Sequence, residues 1–229
     1  MKNAWIILLL CLCVWAGCES TTVDPDFSRV GYVYFPVDSG WYRDYSVEDI
    51  VIPLVGSPDT QRYWLREQVG EVLSVSGQDT TRFLRRYSRT DSTVDWHLDS
   101  LWQIRRTATQ AIVIENNVPR IKLVFPVAED IAWDGNALAL DERQTYFMQG
   151  VGIPYGADSS FSQTVTVIQS DNRDTIEQQN YIEEVFAADI GLILRQSFQF
   201  RYCNEDSCFG QQIVEVGRSY RQVLSDYGQ

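Results

Sequence analysis

An all-β architecture, a large antiparallel meander curled into a half-barrel or barrel, follows from three features of this sequence. Apolar residues recur at every second position in run after run from residue 30 onward, the mark of strands with one face buried. Spacing of the helical kind is hard to find. The connections between runs are short, so neighbours pair antiparallel, and about ten or eleven strands in one sheet tend to curl or close rather than lie flat. A two-sheet sandwich is the alternative.

Taken in order, Tyr32, Tyr34 and Phe35 lead into a turn at Pro36-Val37-Asp38-Ser39-Gly40, and Trp41 to Ile52 reads as a long strand. Tyr63 to Val69 is a second, interrupted at Gly70 and resumed from Val72 to Val75; Gly77-Gln78-Asp79 turns the chain into Thr81 to Arg89. Next, Trp96, Leu98, Trp102 and Ile104 share one predicted face, with His97, Asp99, Gln103 and Arg105 on the other and Leu101 out of phase. Asn116-Asn117 is a two-residue hairpin turn, because Asn tolerates positive φ. Pairing Glu115 with Val118 sets Ile112 opposite Ile121 and Gln110 opposite Leu123 on an apolar face. It sets Val113 opposite Arg120 and Ala111 opposite Lys122 on a wet one. Pro126 to Leu140 reads as a long loop around Trp133-Asp134-Gly135-Asn136. Strands follow at Tyr146 to Val151, Phe161 to Gln169 and Tyr181 to Ala187. In the strongest alternation, Leu192, Leu194, Phe198, Phe200 and Tyr202 face one way, and Ile193, Arg195, Ser197, Gln199 and Arg201 the other. Gln211 to Leu224 returns as the last strand.

The N-terminus sets the compartment. Lys2, the apolar run Trp5 to Val14 and the small residues Ala16-Gly17 ahead of Cys18 make a cleavable export signal, its apolar stretch being too short to span a bilayer, which needs ~20 residues. Val14-Trp15-Ala16-Gly17-Cys18 resembles the lipobox of bacterial lipoproteins at three of four positions, with Trp15 where Leu is common. The resemblance implies cleavage before Cys18, a diacylglycerol on its thiol and an acyl chain on its new amine, and several chains on one residue hold a protein stably at a membrane. Glu19, rather than Asp, after the cysteine implies the outer membrane. The expected organisation is a signal peptide over 1–17, a tether over 18–29 that is polar and contains Pro25, and one all-β domain over 30–229. Tyr34-Phe35-Pro36 with Gly40-Trp41-Tyr42, and Glu184-Val185-Phe186-Ala187 with Ile190-Gly191-Leu192-Ile193, are similar to motifs of uncharacterised β-rich bacterial envelope lipoproteins. That resemblance implies a curved antiparallel sheet and no particular activity.

The formal charge is −12, one unit more negative once Lys2 leaves with the signal, which argues against nucleic acid as a partner. Basic residues crowd the middle of the chain, where Arg82, Arg85, Arg86, Arg89, Arg105, Arg106, Arg120 and Lys122 accompany only Asp91, Asp95, Asp99 and Glu115. Cross-strand ion pairing with acidic strands from elsewhere accounts for that block better than an anion-binding face. Lys122 is the sole lysine after the signal. Cys203 and Cys208 bracket a hairpin tip and are expected to form a disulfide in an oxidising envelope; no nearby Cys or His completes a metal site with them.

No catalytic constellation emerges. His97 is the single histidine, on a polar strand face without a Gly-x-Ser-x-Gly elbow, and no Walker loop or His-Glu-x-x-His is present. Paired carboxylates remain open for a hydrolase, Asp130, Asp134, Glu183 and Glu184 among them, but sequence does not choose among 31 acids. The candidate ligand-facing residues are the aromatics Trp96, Trp102 and Trp133. No metal or cofactor is expected. The reading is a lipid-anchored envelope protein that binds or builds without catalysis, its partner a protein or small molecule. The alternatives are a carrier or sensor holding an apolar ligand in the concave face, and a carbohydrate-binding module or glycosidase-like hydrolase.

Overall fold

The computed structural model describes residues 30–77, 79–157 and 160–229; the signal, Cys18 and the tether lie outside them. A short 3-10 turn (Tyr32–Tyr34) precedes twelve strands: β1 (Tyr42–Ile52), β2 (Asp59–Ser76), β3 (Asp79–Arg89), β4 (His97–Arg106), β5 (Gln110–Glu115), β6 (Val118–Val124), β7 (Ala132–Asp134), β8 (Thr145–Tyr155), β9 (Phe161–Asn172), β10 (Gln178–Ala187), β11 (Gly191–Tyr202) and β12 (Val214–Gly228). All pairings are antiparallel, in the spatial order β6-β5-β4-β3-β2-β1-β12-β11-β10-β9-β8-β7. Each strand therefore lies beside its sequence neighbours, and the first pairs with the last, from Tyr42 opposite Gly228 to Ile52 opposite Gly217. The predicted meander is present, nearly closed into a barrel, and the sandwich alternative is set aside.

Closure falls between β6 and β7, which form no ladder. The amide of Ile121 donates to Gly135 O at 3.0 Å, and Trp133 Nε1 donates to Ile121 O at 2.9 Å. Gly135 is required here, since a Cβ at this position would run into the Tyr146 ring. One end of the barrel is closed by residues 30–41. Tyr34 and Phe35 join the interior cluster, Tyr32 meets Phe125 edge-on at 4.8 Å, and Val127 and Asp189 donate backbone hydrogen bonds to Val30 O and Val33 O.

Several predicted faces change where one strand carries an extra residue, because each such bulge reverses the alternation beyond it. In β4, Arg86 faces Ser100 while Tyr87 faces Leu98, leaving Asp99 as the extra residue. Trp102 and Ile104 thus point inward at 6% and 2% exposure, whereas Leu98 is 45% exposed. In β11, Ile193 is extra between Leu192 opposite Phe186 and Leu194 opposite Val185. Leu192 joins the interior, Leu194 packs in a second cluster with Val185 and Ile193, and Arg195 turns inward.

The Asn116-Asn117 hairpin forms as predicted, with φ of 50° and 67° and Glu115 opposite Val118. An extra residue, Lys122, puts Leu123 opposite Ala111 and Val124 opposite Gln110, correcting the predicted register at that end. The face expected to be wet is the one that enters the barrel: Ala111, Val113 and Leu123 belong to the interior cluster and Lys122 lies among them. Ile112 and Ile121 are also buried, outside that cluster, so the hairpin buries both faces. Gly70 marks a register shift inside the continuous β2, and Trp133 lies in β7 rather than in an open loop.

Candidate functional site

The barrel interior holds an apolar cluster around Tyr45, Leu65, Leu84, Ile104 and Val167, and set within it a ring of four charges. Lys122 on β6 reaches Glu115 Oε1 at 2.7 Å and Glu184 Oε1 at 2.9 Å. Arg195 on β11 reaches the same two oxygens, at 3.1 Å through Nη2 and 2.7 Å through Nε, the latter close but not aligned as a hydrogen bond. Each cation thus touches both carboxylates and each carboxylate both cations. The register explains the meeting: Glu184 lies opposite Arg195 across the β10–β11 ladder, and Lys122 shares the inward face of the β5–β6 hairpin with Val113 and Ala111. Glu67 and Arg86, paired at 3.1 Å, continue the polar belt, with the Arg86 guanidinium 3.8 Å from the Trp102 ring centroid and Trp102 Nε1 bonded to Asn116 Oδ1. Arg43 donates to Ile190 O, and Tyr45 to Leu192 O.

Burial alone raises a carboxyl pKa and lowers an ammonium pKa. Burial does oppose the charge on Glu115, but Arg195 and Lys122 overcome it and hold the carboxyl far below its ordinary range. On Lys122 burial again opposes the charge, and Glu115 with Glu184 outweighs it, so the ammonium is held above its usual pKa. Burial likewise pushes the Tyr45 and Tyr220 hydroxyls up, leaving them neutral donors. Arg86 also acts on Glu115 and Glu67 on Arg195, so the ring is continuous with the neighbouring pair. The cavity beside it, lined by Arg43, Glu67, Lys122, Glu184, Arg195 and apolar neighbours, measures about 20 Å³, room for a single water.

The predicted aromatics are not brought together. Trp102 faces the interior under Arg86, Trp133 stitches the seam and meets Tyr146 edge-on at 5.9 Å, and Trp96 lies on the outer wall with Arg66 and Arg89 at 4.7 and 4.2 Å from its ring. His97 is exposed beside it. Cys203 and Cys208 stand at disulfide distance, with Cα atoms 5.9 Å apart. Half of the basic middle pairs with acids: Arg85 with Glu71 and Arg86 with Glu67 on β2, Arg120 with Asp141 in the β7–β8 connection, and Lys122 with Glu184 on β10. In the sequence Lys122 stands out as the only lysine after the signal, and Glu184 as one of several candidate carboxylates for a hydrolase. Joining them requires knowing that the hairpin face carrying Lys122 is the one turned inward, which alternation alone does not announce.

Above the plugged end, Tyr32, Val33, Pro36, Asp38, Trp41, Arg106 and Asp189 surround an open depression of about 660 Å³. Pro36 and Trp41 come from the segment ahead of β1, and Asp189, whose φ of 64° sets the β10–β11 turn, donates its amide to Val33 O.

No protein-family model matches the sequence, and no curated protein does. Among solved structures, the chain is similar to a presumed exported protein with YMCC-like fold from Bacteroides fragilis. The likeness covers 85% of this chain and 98% of that one, at 12% identity and a TM-score of 0.38.

Proposed function

We propose that this chain is an exported, lipid-anchored protein of the bacterial cell envelope whose barrel is a non-catalytic binding or structural module. The observation that carries the second half of this reading is the filled interior. The two carboxylates that converge there share two cations instead of flanking a cleft, and the adjoining cavity has room for about one water. A carrier of apolar ligands needs an open apolar chamber, whereas the described residues fill the interior around the charged ring. A partner is met on the outside of the barrel. The export half rests on the apolar leader and the Ala16-Gly17-Cys18 ending, with the outer membrane as the membrane that holds it.

Intact mass of the protein purified from bacterial membranes tests the anchor. The expected mass is that of residues 18–229 carrying a diacylglycerol and an acyl chain, rising by the mass of one hydrogen molecule when Cys203–Cys208 is reduced. Cys18→Ser is expected to move the protein out of the lipid-modified pool. An unmodified chain recovered from the soluble fraction of wild-type cells would overturn the reading.

A further inference from the structure

Five tryptophans follow the leader, and four of them are engaged. Trp41, Trp102 and Trp133 pack on or within the interior cluster, and Trp96 lies against Arg66 and Arg89. Trp64 is different. Among the described residues its ring meets no other ring and no guanidinium, its indole N–H donates no hydrogen bond, and it is half-buried on the outer wall. Its surroundings follow from register. On β1, Tyr45 and Val47 point inward, so Ser46 and Glu48 point outward. Ser46 lies directly between Trp64 on β2 and Val223 on β12, and Glu48 between Arg62 and Arg221. A small side chain between two large ones leaves a notch, here a groove of about 380 Å³ open to solvent.

The groove has one flat apolar wall and a polar floor and end. Glu48 takes Arg62 on a single oxygen, Oε2, at 2.6 Å from both Nε and Nη2, which leaves Oε1 as an acceptor. Arg221 stands across from Glu48 without forming an ion pair among the described residues, and supplies donors at the groove's end. An aliphatic ligand has no use for that floor, and a purely ionic one has no use for the indole. A sugar ring matches both, since it offers an apolar C–H face to an aromatic plane and a rim of hydroxyls that donate to a carboxylate and accept from guanidinium and indole N–H groups.

We infer that the groove over β12, β1 and β2 binds a pyranose unit of a glycan, stacked on Trp64 with its hydroxyls held by Glu48, Arg62 and Arg221. The inference deepens the binding-module reading by naming a ligand class and does not depend on the lipid anchor.

The test is a titration of the full protein, in whichever fraction it is recovered and in a non-sugar detergent if membrane-bound. Cellohexaose, chitohexaose and a mannuronate hexamer serve as probes, followed by tryptophan fluorescence and calorimetry. Saturable binding of at least one probe is expected, with Trp64→Ala weakening it about tenfold or more, as loss of a central aromatic contact does. Ser46→Trp fills the notch from an exposed position and is expected to abolish binding while leaving the thermal melt unchanged. Absence of binding by all three probes to the wild-type protein would overturn the inference, as would wild-type affinity in both variants. Because the titration reads the groove and the intact mass reads the anchor, either reading can fail alone.

Discussion

Lys122 shows how much depends on one side chain in a nearly closed barrel. It is 4% exposed and its ammonium is shared by Glu115 and Glu184. Lys122→Met keeps the volume but leaves the buried Glu184 and the half-buried Glu115 with one cation, and a buried pair broken from one side costs about 3–5 kcal/mol. Urea unfolding is expected to show that loss, and Lys122→Met combined with Glu184→Gln is expected to recover part of it, since the ring then holds one carboxylate and one cation. The same ring predicts acid sensitivity. Glu115 has a folded pKa far below its ordinary 4.5, so its contribution is fully present above the unfolded pKa and is lost as pH falls through and below that value. Unfolding midpoints are therefore expected to be flat from about pH 7 to about pH 5 and to drop steeply below about pH 4, with a shallower drop in Glu115→Gln. What the sequence shows of this is composition: one lysine after the signal and an excess of acids. That the lysine would be inside was hidden, because alternation assigns a charged residue to water unless a partner is known to wait across the barrel.

Strands and their bulges carry the next lesson. On one side of each bulge the predicted faces hold, as with the inward pair Trp102 and Ile104, and the Asn116-Asn117 turn and the pairing of Ile112 with Ile121 stand as predicted. Asp99, Lys122 and Ile193 are each an extra residue, and on one side of each the predicted inside and outside exchange. A bulge leaves no mark in hydrophobicity, since it changes phase rather than composition, and it is through the bulge at Ile193 that Arg195 reaches the interior. The seam between β6 and β7 is the weakest join. Trp133→Phe removes the indole donor to Ile121 O and is expected to cost about 1 kcal/mol. Gly135→Ala sets a methyl against the Tyr146 ring and displaces the carbonyl that receives the Ile121 amide. Hydrogen exchange is expected to report it locally, with the Ile121 amide exchanging faster while amides of the β1–β12 ladder keep their protection.

Across the molecule, the Cys203–Cys208 tip and the barrel are separable. The two cysteines enclose a short loop, so Cys203→Ser with Cys208→Ser is expected to lower stability by at most about 2 kcal/mol. The far-ultraviolet circular dichroism is expected to stay that of the wild type. The pairing of β1 with β12 has a wider effect. A meander that ended in an open sheet could add each strand as it is made, every hairpin resting on the one before. Here β1 is completed early in synthesis, and one of its two edges stays bare until residues 214–228 arrive to fill the place between β1 and β11. The chain therefore has no finished intermediate of smaller size, and folding waits on contact between its opposite ends, the kind of long-range closure that slows folding and leaves strand edges open to other chains in the meantime.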